Sequence, residues 1–364
     1  MKVSFPHMAN YWIAIKALLE SMGIEVVVPP RMSERTRELG CKYSPEFACM
    51  PFKMNLGSMI EALEIGADVL IQPGSKGACR YGFYSTVQEM ILKDLGYKFE
   101  MIGMGSSGFS FINFYCMLKK LNRKITFFQF VYSLKYAWRK IYAIDLIEDR
   151  IRRLIPYSKD YTYMKKIHRG FLIKIDNASS FKEIDKVREE FNEKLETIKK
   201  PSYMDKVKIG IVGELYVVID PDTNLNIEDK LSKMEVEIIR SMSLTHLIRK
   251  YFNKEKINYG EIAKPYLEYD VSAHGQMSVA ETILFSKKGI DGVIHLKPHG
   301  CMPEVVAMSA LYKVSKDYKI SMLFFSFDEH SSPTGVDTRL EAFIELVKRR
   351  KEILKNRLSY NING

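Results

Sequence analysis

Short apolar runs alternate with stretches of helical spacing through the first hundred residues. KVSFPHM is strand-like, YWIAIKALLESMG places apolar side chains three and four apart and ends at Gly23, and IEVVVPP is a β-branched run stopped by proline. The rhythm continues with MNLGSMIEALEIGA as helix, DVLIQPG as strand, FYSTVQEMILKDLGY as helix and KFEMIGM as strand. Apolar strands separated by helices imply a parallel sheet covered on both faces.

Between about 109 and 200 the pattern is helical throughout: SFINFYCMLKKLN, ITFFQFVYSLKYAWRKIYAIDLIEDRIRRLI and FKEIDKVREEFNEKLETIKK. After Pro201 the alternation returns, with strands KVKIGIVG, VEIIRS, DGVIHLK and ISMLFFSF, helices between them, and a closing helix from about Thr338 to Leu358. The expectation is an α/β chain of two similar doubly wound parallel-sheet domains, Rossmann- or flavodoxin-like, at residues 1–108 and 201–364. A helical connecting segment, 109–200, joins them.

A chain of 364 residues, 46% hydrophobic and 27% charged, can bury two or three cores. Its longest strongly apolar uncharged run, ITFFQFVYSL, has 10 residues, too few to cross a bilayer. The N-terminal run is broken by Pro6, His7, Lys16 and Glu20, unlike an export signal, and five cysteines do not suit a secreted disulfide framework. A cytoplasmic location, reduced thiols and no membrane partner are expected.

The formal charge of +11 is concentrated. From Lys119 to Lys174 there are 15 Lys and Arg against four acids, so the rest of the chain is close to neutral. A solvated helical face, an RNA surface, or a docking site for an acidic electron donor each fit such a segment. Nucleic acid is not the expected partner.

Cysteines change the picture most. Cys-Met-Pro occurs twice, at Cys49 and Cys301, and Cys79 lies in GACRYG; proline and glycine put all three on turns. Ligands of open parallel sheets bind beyond the carboxyl ends of the strands. Cys79 and Cys301 each follow such a strand, and Cys49 precedes a helix. Cys116, in NFYCMLKK, reads as a small apolar residue on a helix stripe. Zinc sites favour closely paired ligands, which are missing here, whereas iron-sulfur clusters accept thiolates from dispersed loops. Structural thiols are the alternative, and Cys41 is weighed as a fourth ligand, a resolving thiol or an inert residue.

Polar neighbours supply candidate chemistry. His299 could move a proton or donate to a cluster, and Arg80 could bind a carboxylate, phosphate or thioester oxygen. Glu304 opens a helix, where it either offsets the helix dipole or acts in the cleft. These three are the candidate catalytic residues, with His274 in SAHGQMS a further one. GMGSSG at 103–108 matches G-x-G-x-x-G but lacks the acid about 20 residues on, so it reads as a glycine turn or a cradle for a phosphate of CoA. Thr338, Arg339 and Glu341 in DTRLEAF read as a helix start capped by Asp337 or Thr338.

The stretches PHMANYWIAIKALLESMGIEVVVPP, SPEFACMPFKMNLG, GACRYGFY, HGCMPE and TRLEAF resemble the iron-sulfur subunits of the 2-hydroxyacyl-CoA dehydratases and the activase-related proteins of that superfamily. The similarity is weakest through 110–200. It implies two α/β domains with a [4Fe-4S] cluster in the cleft, held by Cys49, Cys79 and Cys301. It also implies an ATP-dependent activase with its own iron-sulfur cluster as electron donor, and an acyl-CoA substrate that is dehydrated or reduced one electron at a time. Related subunits pair, so a homodimer or heterodimer is expected. A non-catalytic accessory protein that carries or delivers a cluster is the other reading.

Overall fold

The computed structural model describes residues 1–362 except 75–78, 104–109, 159, 201–204, 253–256 and 272. Two separate four-stranded parallel sheets form an α/β architecture. The first part runs β1 (Lys2–Ser4), α1 (Trp12–Glu20), β2 (Glu25–Val26), α2 (Glu34–Tyr43), α3 (Met50–Glu64), β3 (Val69–Gln72), α4 (Tyr84–Asp94) and β4 (Glu100–Gly103), with strand order β2-β1-β3-β4. Four helices follow, α5 (Phe111–Leu121), α6 (Phe127–Leu154), α7 (Tyr161–Asn177) and α8 (Phe181–Glu196).

The last part begins with β5 (Lys208–Gly213), α9 (Leu215–Ile219), α10 (Ile227–Lys233), β6 (Glu237–Arg240), α11 (Leu244–Tyr251) and α12 (Tyr259–Ala263). It continues with α13 (Gly275–Lys287), β7 (Gly292–Pro298), α14 (Met302–Asp317), β8 (Ser321–Phe327) and α15 (Pro333–Ile362). Its strand order, β6-β5-β7-β8, repeats that of the first sheet.

The repetition extends to single residues. Asp68, just before β3, accepts the Lys2 amide at 2.9 Å, and Asp291, just before β7, accepts the Lys208 amide at 2.8 Å. Each carboxylate thereby ties the entry of a central strand to the start of its neighbour, satisfying an edge amide that would otherwise need water.

The helical segment is packed into both sheet-bearing parts. Ala143, Ile144, Ile147 and Ile151 of α6 share a hydrophobic cluster with Met50 and Met54 of α3 and with Ile209 and Ile211 of β5. Polar groups reinforce the junction: Tyr11 donates to Asp145, whose other oxygen accepts the Thr245 amide at 2.7 Å, and Asn10 donates to Glu148 at 2.6 Å. Among the described residues no helix is long and apolar enough to cross a membrane.

Several elements differ from expectation, and the short helices α9, α11 and α12 were not distinguished in the sequence. Helix α2 has no counterpart in the sequence reading; it is held by backbone contact, since a Cβ on Gly40 would lie 1.9 Å from the Lys53 carbonyl oxygen and one on Gly57 1.9 Å from that of Thr36. Helix α15 starts at Pro333, so Asp337 and Thr338 lie inside it and cap nothing. Thr338 donates to the Thr334 carbonyl at 3.1 Å, and Asp337 pairs with Lys230. Arg339 bonds the Phe324 carbonyl and covers the Phe325 ring.

Candidate functional site between two sheet edges

The strand order leaves a crevice at the carboxyl ends of β1 and β3, and another at β5 and β7, where successive connections diverge. The two crevices face each other. The Tyr216 hydroxyl, beyond β5, donates to the His7 carbonyl beyond β1 at 2.8 Å. Arg80 spans the gap, donating to the Phe47 carbonyl at 3.0 Å and to the Gly300 carbonyl at 3.1 Å.

Cys49, Cys79 and Cys301 all lie at this edge, each with extended backbone immediately before a helical turn. Cys49 is the N-cap of α3, Cys301 the N-cap of α14, and Cys79 precedes the 3-10 turn Arg80–Phe83 that leads into α4. The repeated Cys-Met-Pro has a local cause: the proline falls in the first helical turn, where no amide is needed. The cysteine is left outside, facing the cleft end of the helix.

The thiols influence one another. Burial pushes the Cys301 thiol well up, and the charges of Glu214, Glu304 and Cys49 push it further. Burial also raises Cys49, against the Tyr84 hydroxyl that bonds its sulfur and the nearby Arg80 guanidinium. The Tyr84 phenol is itself held far above its usual range, first by burial and then by Cys49, with Cys79 contributing. Sulfurs from both parts of the molecule thus share one half-buried neighbourhood. Among the described residues, no three His, Cys, Asp or Glu side chains are gathered into a ready-made metal cage.

A layer of polar residues behind the cysteines is duplicated. In the last part, Glu304 is 1% exposed and accepts the Ser278 hydroxyl at 3.1 Å and His295 Nε2 at 2.7 Å. Ser278 lies on α13 and His295 on β7. In the first part, the Tyr81 hydroxyl lies against Gln72 of β3 and Asn55 of α3. Gln72 and His295 each come four residues after the equivalent aspartates, and Asn55 and Ser278 each come 13 before them. One trio is ionisable and joined by hydrogen bonds. In the other, both amide atoms of Asn55 and the Gln72 carbonyl oxygen have no hydrogen-bond partner among the described residues.

The remaining sequence candidates are dispersed. His299 is exposed, and its amide extends the β7–β8 pairing by donating to the Phe327 carbonyl at 2.8 Å. Arg80 is exposed at the cleft mouth. His274 holds the N-cap position of α13, and burial drives its imidazole down to about 4 against the pull of Glu304. Cys41 sits in the last turn of α2, where burial raises its thiol and its charged neighbours are Lys53 and Glu329. Cys116 is exposed, contrary to the reading of it as buried: Phe114 and Leu118 carry the buried stripe of α5, and a residue midway between them points outward. Of GMGSSG, residues 104–108 lie outside the described residues.

Glu214 and Lys53 are among the site residues that escape sequence reasoning. Glu214 caps α9, accepting the Tyr216 and Val217 amides at 3.1 and 2.9 Å, and burial with the help of Glu304 raises its carboxyl to about 7. Its position directly after strand KVKIGIVG was the available signal. Lys53, one turn beyond Cys49, forms a 2.7 Å ion pair with Glu329 from the loop after β8. Nothing local to either residue announces that pairing.

Compared with known proteins, the chain matches no family model, and no curated protein matches it.

Proposed function

We propose that this chain is an iron-sulfur protein of the 2-hydroxyacyl-CoA dehydratase type. Cys49, Cys79 and Cys301 would hold a [4Fe-4S] cluster, and an ATP-dependent activase would supply low-potential electrons for dehydration or reduction of an acyl-CoA. Each sheet with its helices is read as a flavodoxin-like unit, and the protein as cytoplasmic. The carrying observation is that half-buried thiols at helix starts on both sheet edges share one neighbourhood.

The donor set suits such a group. Burial keeps the Cys49 and Cys301 thiols protonated, with the charges of Glu214, Glu304 and Cys49 adding to this at Cys301, a penalty that a bound cation removes. Each sulfur lies at a helix start, where backbone amides favour negative charge. When bound, the cluster supplies one-electron chemistry at low potential. Tyr84 would then hold the Cys49 sulfur, and Arg80 would pin the loops carrying Cys49 and Cys301 across the cleft. His295 and Ser278 fix the Glu304 carboxylate beside Cys301, where it can take or return a proton.

Anaerobic purification with iron and sulfide analysis and Mössbauer spectroscopy tests the proposal. About four irons per chain are expected, with marked depletion on Cys→Ser replacement at each of the three positions. Protein that is fully stable and takes up no iron on anaerobic reconstitution would overturn it.

A further inference from the structure

The outer faces of α5 and α6 carry aromatic and aliphatic side chains that stand exposed among the described residues. Phe128 is 87% exposed, Ile112 70% and Phe127 51%. The helix starts that carry them meet, because the Phe111 ring lies 6.3 Å from that of Phe127 and both helices rest on buried Phe114 and Phe130. The projecting rings therefore stand on a fixed base. Phe128, Tyr132 and Lys135 continue the exposed face along α6 at helical spacing.

The segment that carries these side chains has one sign of charge. Lys119, Lys120, Arg123, Lys124 and Lys135 are all exposed, and no acidic residue occurs between Glu100 and Asp145. Acids come near α6 from other elements: Glu20 at the end of α1, Asp176 on α7, and Glu183 and Asp185 on α8, the last paired with Arg139. Helix α5 also follows β4, so its aromatic end lies on the carboxyl side of the first sheet, as Cys79 does.

We propose that the α5–α6 hairpin docks the protein on an anionic membrane surface. Ile112, Phe127 and Phe128 enter the headgroup boundary, and the surrounding Lys and Arg side chains meet lipid phosphates. Large exposed apolar side chains on a segment rich in cations and free of acids are the signature of interfacial binding. A protein partner is the poorer fit, because the rings project instead of lining a pocket and the hairpin offers no acid to pair with an opposing base. Sequence alone argued against a membrane partner because no segment can span a bilayer, but binding at the interface requires no span.

Co-sedimentation of the full chain with vesicles tests this, using phosphatidylcholine alone and phosphatidylcholine with about one-third phosphatidylglycerol. Binding is expected to the anionic vesicles, falling as salt is raised. The Phe127→Ser/Phe128→Ser double variant should lower the partition coefficient more than about tenfold. Lys119→Ala and Lys120→Ala should each lower it about fivefold. All four positions are exposed, so unchanged circular dichroism is expected and separates lost binding from lost folding. No sedimentation with anionic vesicles, or binding that survives the Phe variant, overturns the proposal. So does self-association in sedimentation velocity that the Phe variant abolishes, which would make the patch a contact between copies. The outcome does not depend on iron, and metal-free and reconstituted protein should behave alike.

Discussion

Glu214 shows how one residue reports on the cleft. Its carboxyl is raised to about 7, first by burial, so in metal-free protein the folded form keeps a proton that the unfolded form releases near pH 4.5. Stability from this group is then present at low pH and falls as pH rises through that interval, by about 3 kcal/mol. Asp220, raised to about 6 chiefly by burial, slopes the same way. Glu214→Gln retains an oxygen for one of the Tyr216 and Val217 amides, loses the acceptor for the other at every pH, and has no charge to bury. Urea unfolding of metal-free protein at pH 5 and pH 8 should show the variant gaining about 2 to 3 kcal/mol on the wild type from the lower pH to the higher. An equal slope in both proteins would place the carboxylate in a wetter environment than the cleft described. For Glu214 the sequence offered only its place after a strand; its burial and the nearby charge of Glu304 depend on packing that is distant in the chain. The three cysteines were legible because proline and glycine mark turns locally, whereas the Glu304, His295 and Ser278 contacts depend on helices α13 and α14 meeting over β7.

At the scale of elements, all eight strands were legible because each carries a compact run of apolar or β-branched residues next to a turn signal. Helix α2 was not, since ERTRELGCKY offers almost no apolar stripe and its contact with α3 is made by missing side chains. Alanine at Gly57 would set a methyl 1.9 Å from the Thr36 carbonyl oxygen, a clash that backbone atoms cannot relieve by rotation. Gly57→Ala should therefore cost about 3 kcal/mol or more, and Gly40→Ala a similar amount. Gly335, inside α15 with nothing near its Cβ position, is the control: Gly335→Ala should be neutral or stabilise by up to about 1 kcal/mol. Urea midpoints of the three variants check this, and a harmless Gly57→Ala would mean that α2 is not seated on α3 as described. The start of α15 was misplaced for a related reason. Asp337 and Thr338 look like caps by type, but Pro333 already satisfies the first turn, and the two polar residues serve Lys230 and the Thr334 carbonyl instead.

For the whole molecule, the sequence pattern conveyed two parallel sheets but not that their carboxyl edges confront each other, since long-range packing leaves no periodic trace. Polar contacts hold that arrangement directly over the cysteines. Lys53 is almost wholly buried, at 3% side-chain exposure, and its charge is balanced across the cleft by Glu329, which is 30% exposed. Removing the acid strands a buried ammonium, whose lowest-energy escape is for the loop after β8 to swing away and admit water. Glu329→Gln should consequently raise the alkylation rate of Cys49 and Cys301 in metal-free protein by about tenfold, equivalent to about 1.4 kcal/mol spent on opening. Cys116, exposed on α5 and remote from that loop in the chain, provides the internal reference and should react at an unchanged rate. Peptide-level mass spectrometry after timed alkylation separates the three sites. Equal acceleration at all three would indicate general loosening, and no acceleration at the cleft cysteines would mean that the ion pair is not what keeps the two edges closed.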